Sequence, residues 1–366
     1  MHLGRELAEL GHNVDVYAYI PRMVVKRYSP GGVTYHSLFG ATFPSSFFAL
    51  SRISRSRQLN STEYLLKQVD GIISRRMGEC DVYIGLSGMA VESLKFAKQR
   101  YGSLTICDRG SAHVLVQKET LEVSPNSKLN ESYVQRELEG YGLADLIAVP
   151  SLFAKNSFLD QNITEERIFL NNYGVNLTRF SKLQTVKSLD EARIRILFVG
   201  GWGYRKGCDL ITASLNHNID FEVTHAGTPG DLPFPLSDRF RSIGHIDNCD
   251  LASIYQTHDV LVLPSREDGF GMVILEALAS GTPVVASKNS GGPDVKRNIT
   301  NQDFVQIMNN SVADELTHCV RMAFRAGREN QHSRLSESDV NYFSWGAYAK
   351  RYERFLLDRL NIGQPK

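Results

Sequence analysis

In the opening stretch MHLGRELAELGHNVDVYAY, Leu3, Leu7 and Leu10 recur at helical spacing, Gly11 follows as a C-terminal cap, and Val14, Val16 and Tyr17 begin a strand. A helix followed by a strand is the second half of a βαβ unit. The strand that should lead it is not in the sequence, so the chain is expected to start inside its first α/β repeat. Apolar strand runs then alternate with helical stripes: CDVYIGLSG and MAVESLKFAKQRYG, SLTICDRG, ADLIAVPS and LFAKNSFLDQ, RIFLNNYGV. A polar, pattern-poor stretch from Ser181 to Arg193 reads as a linker.

The alternation resumes with IRILFVGG (strand), KGCDLITASLNH (helix), DFEVTHAG (strand), CDLASIYQTH (helix), DVLVLPS (strand), GMVILEALAS (helix) and TPVVAS (strand). These strands are almost continuously apolar, as required when helices cover both faces of a parallel sheet. The pattern predicts an α/β protein of two doubly wound, Rossmann-like domains over 1–185 and 186–342. The amphipathic helix in FSWGAYAKRYERFLLDRL closes the chain over 343–366.

At 366 residues the chain has room for two such cores, and two domains create a cleft. A net charge of +1 gives no support for nucleic-acid binding. Cysteines 80, 107, 208, 249 and 319 are odd in number and never spaced C-x-x-C, which argues for a reducing compartment. With no eighteen-residue apolar run and no leader-like start, a cytoplasmic location is expected. The segment Ala41–Tyr64 mixes Phe43, Phe47, Phe48 and Leu50 with Arg52, Arg55 and Arg57. It reads either as a solvated basic loop and helix or as a peripheral contact with the inner membrane surface.

Ligands of open parallel sheets sit beyond the carboxyl ends of the strands, so the loops after LFVGG, VTHAG and LVLPS share one edge. Gly200 to Gly207 joins flexible backbone to Arg205 and Lys206 at a helix start, which suits a diphosphate; the alternative is a tight turn with solvated cations. A dinucleotide fingerprint fits less well, because Lys206 stands where its third glycine should be. In REDGFGMVILEALAS, Gly269 and Gly271 leave backbone N–H groups open beside a helix N-terminus. Asp268 can cap that helix. Glu276 lies within a helix apolar nearly all round, and a buried carboxylate needs a partner; a hydroxyl pair of a sugar or ribose supplies one.

The run PSREDGFGMVILEALASGTPVVAS with the GGPD that follows, together with ILFVGG and KGCDLI, LASIYQTHDVLVLPS, FLNNYGVNLTRF, CDRGSAHVLVQKE and YGLADLIAVPSLFAKNSF, resembles the retaining, nucleotide-sugar-dependent glycosyltransferases of family 4. The resemblance spans nearly the whole chain and implies the two-domain GT-B fold, with the C-terminal helix crossing back to the first domain. It implies that Glu276 binds the nucleotide ribose, Asp268 the donor sugar, and the N–H groups around Gly269, Phe270 and Gly271 the sugar and distal phosphate. Arg205 and Lys206 then hold the diphosphate of a UDP- or GDP-linked donor, and His113 faces the sugar across the cleft; a structural histidine is the alternative. Glu139, Tyr141 and Asp145 either orient that region or are surface charges.

The sequence departs from the family pattern in three places. Asp268 stands for a longer glutamate, with Glu267 beside it as a substitute. Gly201 stands where the family has an arginine, and RNITNQDFVQIM lacks a Gly-rich turn. No D-x-D triplet occurs, so no metal and no cofactor is expected. The implied activity is sugar transfer, with retention, to a saccharide or lipid-linked acceptor in bacterial surface-polysaccharide assembly. A nucleotide-sugar epimerase of the same architecture and a catalytically impaired nucleotide-sugar-binding subunit are the alternatives.

Overall fold

In the computed structural model of the chain, residues 2–18, 32–38, 61–124, 127–176, 180, 193–247, 250–329 and 335–360 are described. The aromatic and basic residues singled out between Phe43 and Arg57 lie outside them, as does the expected linker apart from Arg193.

The chain opens with α1 (His2–Glu9), β1 (Val14–Ala18) and β2 (Val33–Ser37). Then come α2 (Ser61–Arg76), β3 (Val82–Leu86), α3 (Glu92–Tyr101), β4 (Leu104–Asp108), α4 (Val114–Glu122), α5 (Glu131–Leu143), β5 (Leu146–Val149), α6 (Leu152–Leu159) and β6 (Ile168–Leu170). Strands β3, β4, β5 and β6 form a parallel sheet in that order, while β1 and β2 pair separately, Val14 opposite Val33.

The period of two along each strand sorts the first domain into two cores. Cys107, Ile147 and Val149 face α4, α5 and α6, where they meet Val114, Val134, Tyr141 and Phe158. Ile106, Leu146, Ala148 and Phe169 face the other way. The N-terminus of α3 takes its cap from another element. Asp70 of α2 accepts hydrogen bonds from the backbone N–H of Val91 (2.8 Å), Glu92 (2.8 Å) and Ser93 (3.0 Å). Its charge is matched by the buried guanidinium of Arg136 at 2.5 Å.

The second domain runs β7 (Ile194–Val199), α7 (Cys208–His217), β8 (Phe221–Ala226), β9 (Phe240–Ser242), α8 (Leu251–Thr257), β10 (Val260–Leu263), α9 (Met272–Ala279), β11 (Val284–Ser287), α10 (Gly292–Asn298), β12 (Val305–Met308) and α11 (Ala313–Glu329). Its sheet is parallel in the order β12-β11-β10-β7-β8-β9. Every residue of β10 and β11 is buried, which is why their sequences carry no polar alternation. The strand order reverses between β7 and β10, so their two loops diverge around one crevice.

After α12 (Glu337–Tyr342) the chain returns to the first domain as α13 (Trp345–Arg359). Tyr348, Tyr352 and Leu356, one helical turn apart, cover the Ile106, Leu146, Ala148 and Phe169 face. Ser344 caps α13 by accepting from the Ala347 N–H at 3.0 Å. The two passages of chain between domains are stitched together. The Val175 N–H donates to the Phe343 carbonyl at 2.8 Å, and Val175 and Ser344 form a parallel bridge. Gly174 lies so close to the Ser344 and Trp345 backbones that a Cβ would overlap them.

Candidate functional site

The loop after β7 is anchored by Trp202, which is fully buried among Phe198, His225, Phe234 and Phe240 and donates from Nε1 to the Pro233 carbonyl at 3.1 Å. From this anchor the chain makes a 3-10 turn over Tyr204–Lys206 and enters α7 through Gly207 at φ 74°. That left-handed conformation, with no space for a Cβ beside the Pro264 carbonyl, presses the loop onto the one after β10.

The contact brings the two cations to two carboxylates. Arg205 NH1 donates to Glu267 Oε2 at 2.8 Å, and Lys206 Nζ to Asp268 Oδ2 at 2.5 Å. The arrangement is braced from behind by Arg266, which forms a two-pronged pair with Asp209 (2.6 and 2.7 Å) and stacks 3.7 Å over the Tyr204 ring.

Glu267 is fully buried and points across the cleft. Its Oε1 accepts from Ser111 Oγ (2.5 Å) and the Ala112 N–H (3.1 Å), both in the loop after β4. Burial pushes its carboxyl up, but Arg205 and the hydrogen bonds from Ser111 and Ala112 outweigh that and hold it below the usual range. Gly269 touches the same loop so closely that a Cβ would overlap the Gly110 carbonyl, and its own carbonyl accepts from Ser151 Oγ at 2.5 Å. A second cross-cleft tie joins Asp231 to Ser124 and Ser127. The carboxyl edges of the two sheets therefore face each other.

Of the residues singled out in sequence, Arg205, Lys206 and Asp268 are brought together, with Gly269 and Gly271 on the adjoining turn into α9. Phe270 is 1% exposed, its ring packed edge-on against Tyr173, so its side chain is interdomain packing. Glu276 lies partly exposed on a helix otherwise largely buried, and one carboxylate oxygen accepts from Tyr255 OH at 2.8 Å. The partner that a carboxylate on this helix requires is thus supplied in part by α8.

His113 is placed differently from what the resemblance implies. It is 3% exposed, its ring packs against Tyr141 and Phe158, and its Nδ1 accepts from the Leu115 N–H at 3.3 Å as the cap of α4. Burial, then the neighbouring Arg109, lowers its pKa to about 4, so it is a neutral structural cap near pH 7. Tyr141 is a core residue. Asp145 pins the Thr105 backbone N–H and ion-pairs with Lys98, so neither reaches the cleft loops. Glu267, which the sequence offered only as a substitute for Asp268, joins the site, as do Ser111 and Asp231, which sequence reasoning did not single out.

Residues 193–322 match the family model of glycosyl transferases group 1. An uncharacterized 41.2 kDa protein in the cps region of Klebsiella pneumoniae is 28% identical over 173 residues, 44% of this chain and 48% of that protein. The chain spans between about a third and about half of the curated relatives it matches first. Among solved structures, a sucrose-phosphate synthase from Thermosynechococcus elongatus superposes with a TM-score of 0.68 at 18% identity, over 98% of this chain and 92% of that one. Anabaena HepE in complex with UDP-glucose superposes at 0.61 and 12% identity, over 98% and 95%. The fold is that of the GT-B glycosyltransferases.

Proposed function

We propose that the chain transfers a sugar, with retention of configuration, from a UDP- or GDP-linked donor to a saccharide or lipid-linked acceptor. The observation that carries this is the pairing of Arg205 and Lys206 with the carboxylates of Glu267 and Asp268, just before the Gly269–Gly271 turn and opposite the first-domain loop, at the strand edge where an open parallel sheet binds its ligand. The match to glycosyl transferases group 1 falls on the domain that carries it. The HepE complex with UDP-glucose supports a nucleotide-sugar donor. The relative from the cps region supports surface-polysaccharide assembly as the setting.

In this reading the diphosphate lies against the start of α7. Lys206 and Arg205 stabilise negative charge as it develops on the departing nucleotide, in a site whose cations are already fixed in place. Asp268 shares Lys206 with the diphosphate and reaches the sugar hydroxyls, Glu276 takes the ribose with Tyr255 holding its second oxygen, and the acceptor approaches from the first domain. No obligatory metal is part of this reading, which follows from the absence of a D-x-D triplet in the sequence. A peripheral contact with the inner membrane surface belongs to this reading where the acceptor is lipid-linked; no described helix is long and apolar enough to cross a bilayer.

The test is isothermal titration of UDP, GDP and ADP and their glucose or mannose conjugates. One base is expected to bind in the micromolar range, and Lys206→Ala to weaken it about tenfold. Equal affinity in wild type and Lys206→Ala would remove the diphosphate from this loop.

A further inference from the structure

Asp268 meets Lys206 within the second domain, but its neighbour Glu267 turns its side chain the other way and touches both domains. Its Oε1 takes the Ser111 hydroxyl and the Ala112 N–H; its Oε2 takes Arg205 NH1 and, at 3.4 Å, Gln117 Nε2. Gln117 in turn accepts from Arg109 NH2 (2.9 Å), and Arg109 NH1 pairs with the buried Glu137 at 2.7 Å. One carboxylate is therefore the junction between a cation at the head of α7 and a polar chain that runs into the first-domain core. A buried carboxylate is costly unless all its contacts are kept, so the two halves of the junction are stable only together.

Arg205 spends a single nitrogen on this junction. NH1 carries both its bonds, to the Glu267 side chain and to the Glu267 carbonyl (3.2 Å), while Nε and NH2 have no hydrogen-bond partner among the described residues. The guanidinium is planar, so holding NH1 on Glu267 fixes the plane in which Nε and NH2 lie, and the side chain keeps 29% of its surface exposed.

We propose that Glu267 is a positioning residue that couples diphosphate occupancy at the free edge of Arg205 to the seating of the first-domain loop 109–113 over the donor sugar. The inference rests on the nucleotide-sugar reading above. A diphosphate oxygen on Arg205 NH2 restrains the guanidinium, the restrained guanidinium holds Glu267 in place, and Glu267 holds Ser111 and Ala112. The sugar end of the site thus closes in response to the phosphate end.

Amide hydrogen exchange of the full chain tests this, with UDP, GDP, ADP and pyrophosphate as probes. In wild type, the probe that binds is expected to slow exchange across residues 109–117 about fivefold or more, the lower end of ordinary coupling between sites. In Glu267→Gln, with the same probe added to saturation, the slowing of 109–117 is expected to fall to less than about twofold. Ser111→Ala, which breaks only the first-domain half, is expected to lose the slowing in the same way and covers the case in which Glu267→Gln does not fold. A merely structural glutamate would raise exchange equally with and without probe and leave the ligand-dependent difference intact; that result, in either variant, overturns the proposal alone. Failure of wild type to bind any of the four probes overturns the nucleotide-sugar reading, and the coupling with it.

Discussion

Glu276 and Tyr255 show how a single residue acquires its role from a neighbour the sequence does not announce. Their hydrogen bond fixes one carboxylate oxygen, and in the proposed function this carboxylate binds the ribose. Glu276→Ala is expected to weaken nucleotide binding about tenfold, roughly 1.4 kcal/mol, by titration calorimetry. Tyr255→Phe is expected to cost about 1 kcal/mol of stability by urea unfolding, because the carboxylate loses a buried donor. Two further residues oppose each other in their response to pH. Burial raises the Asp108 pKa to about 6, so the folded state binds that proton more tightly than the unfolded chain and gains stability as pH falls from about 6 to 4. His113, lowered to about 4, does the reverse: its contribution is complete above about 6.5 and is lost as pH falls toward 4. The two nearly offset in wild type. Asp108→Asn should unmask a steeper acid loss and His113→Asn a shallower one, each by up to about 3 kcal/mol across that range in pH-dependent urea unfolding.

At the scale of elements, the helices and strands were legible wherever packing imposes a period. The runs DVLVLPS and TPVVAS announced strands covered on both faces, and FSWGAYAKRYERFLLDRL announced the helix that now covers the first sheet. Helix α11 carries an equally clear stripe in Leu316, Cys319, Val320 and Ala323, which the sequence reading passed over. What no period could reveal is contact between distant segments. Glu267 meets Ala112 across 155 positions, and Asp70 caps α3 from 22 positions away. The placement of Arg205, Lys206 and Asp268 was readable because each sits in a glycine-containing loop that follows a strand. The placement of Ser111, Gln117 and Asp231 was not, because each is an ordinary polar residue until the domains meet. The Asp70 cap yields its own prediction. Arg136→Ala leaves a buried carboxylate with backbone donors but no cation and should destabilise the first domain by about 3–5 kcal/mol, read as a lowered first transition in thermal unfolding.

For the whole molecule, the decisive feature is that the chain ends in the domain where it began. Truncation after Ser344 removes Tyr348, Tyr352 and Leu356 and uncovers the Ile106, Leu146, Ala148 and Phe169 face, though it lies outside the second domain's sequence. The expected outcome is a first domain that binds a hydrophobic dye and aggregates, beside a second domain that still unfolds cooperatively. An unchanged single transition would mean that α13 contributes little to that core.

The stitch between Val175 and Phe343 has a mechanical meaning. Two strands of chain that cross a gap at separate points would let the domains twist as well as swing; two that cross side by side leave a single axle. Movement about an axle grows with radius, so a few degrees of rotation that barely disturb the Val175 hydrogen bond separate Gly269 from Gly110, and Asp231 from Ser124, by a distance set by how far each lies from the pin. The contacts farthest out are the first to part and the last to meet, which gives the cleft an order of opening written into its connectivity.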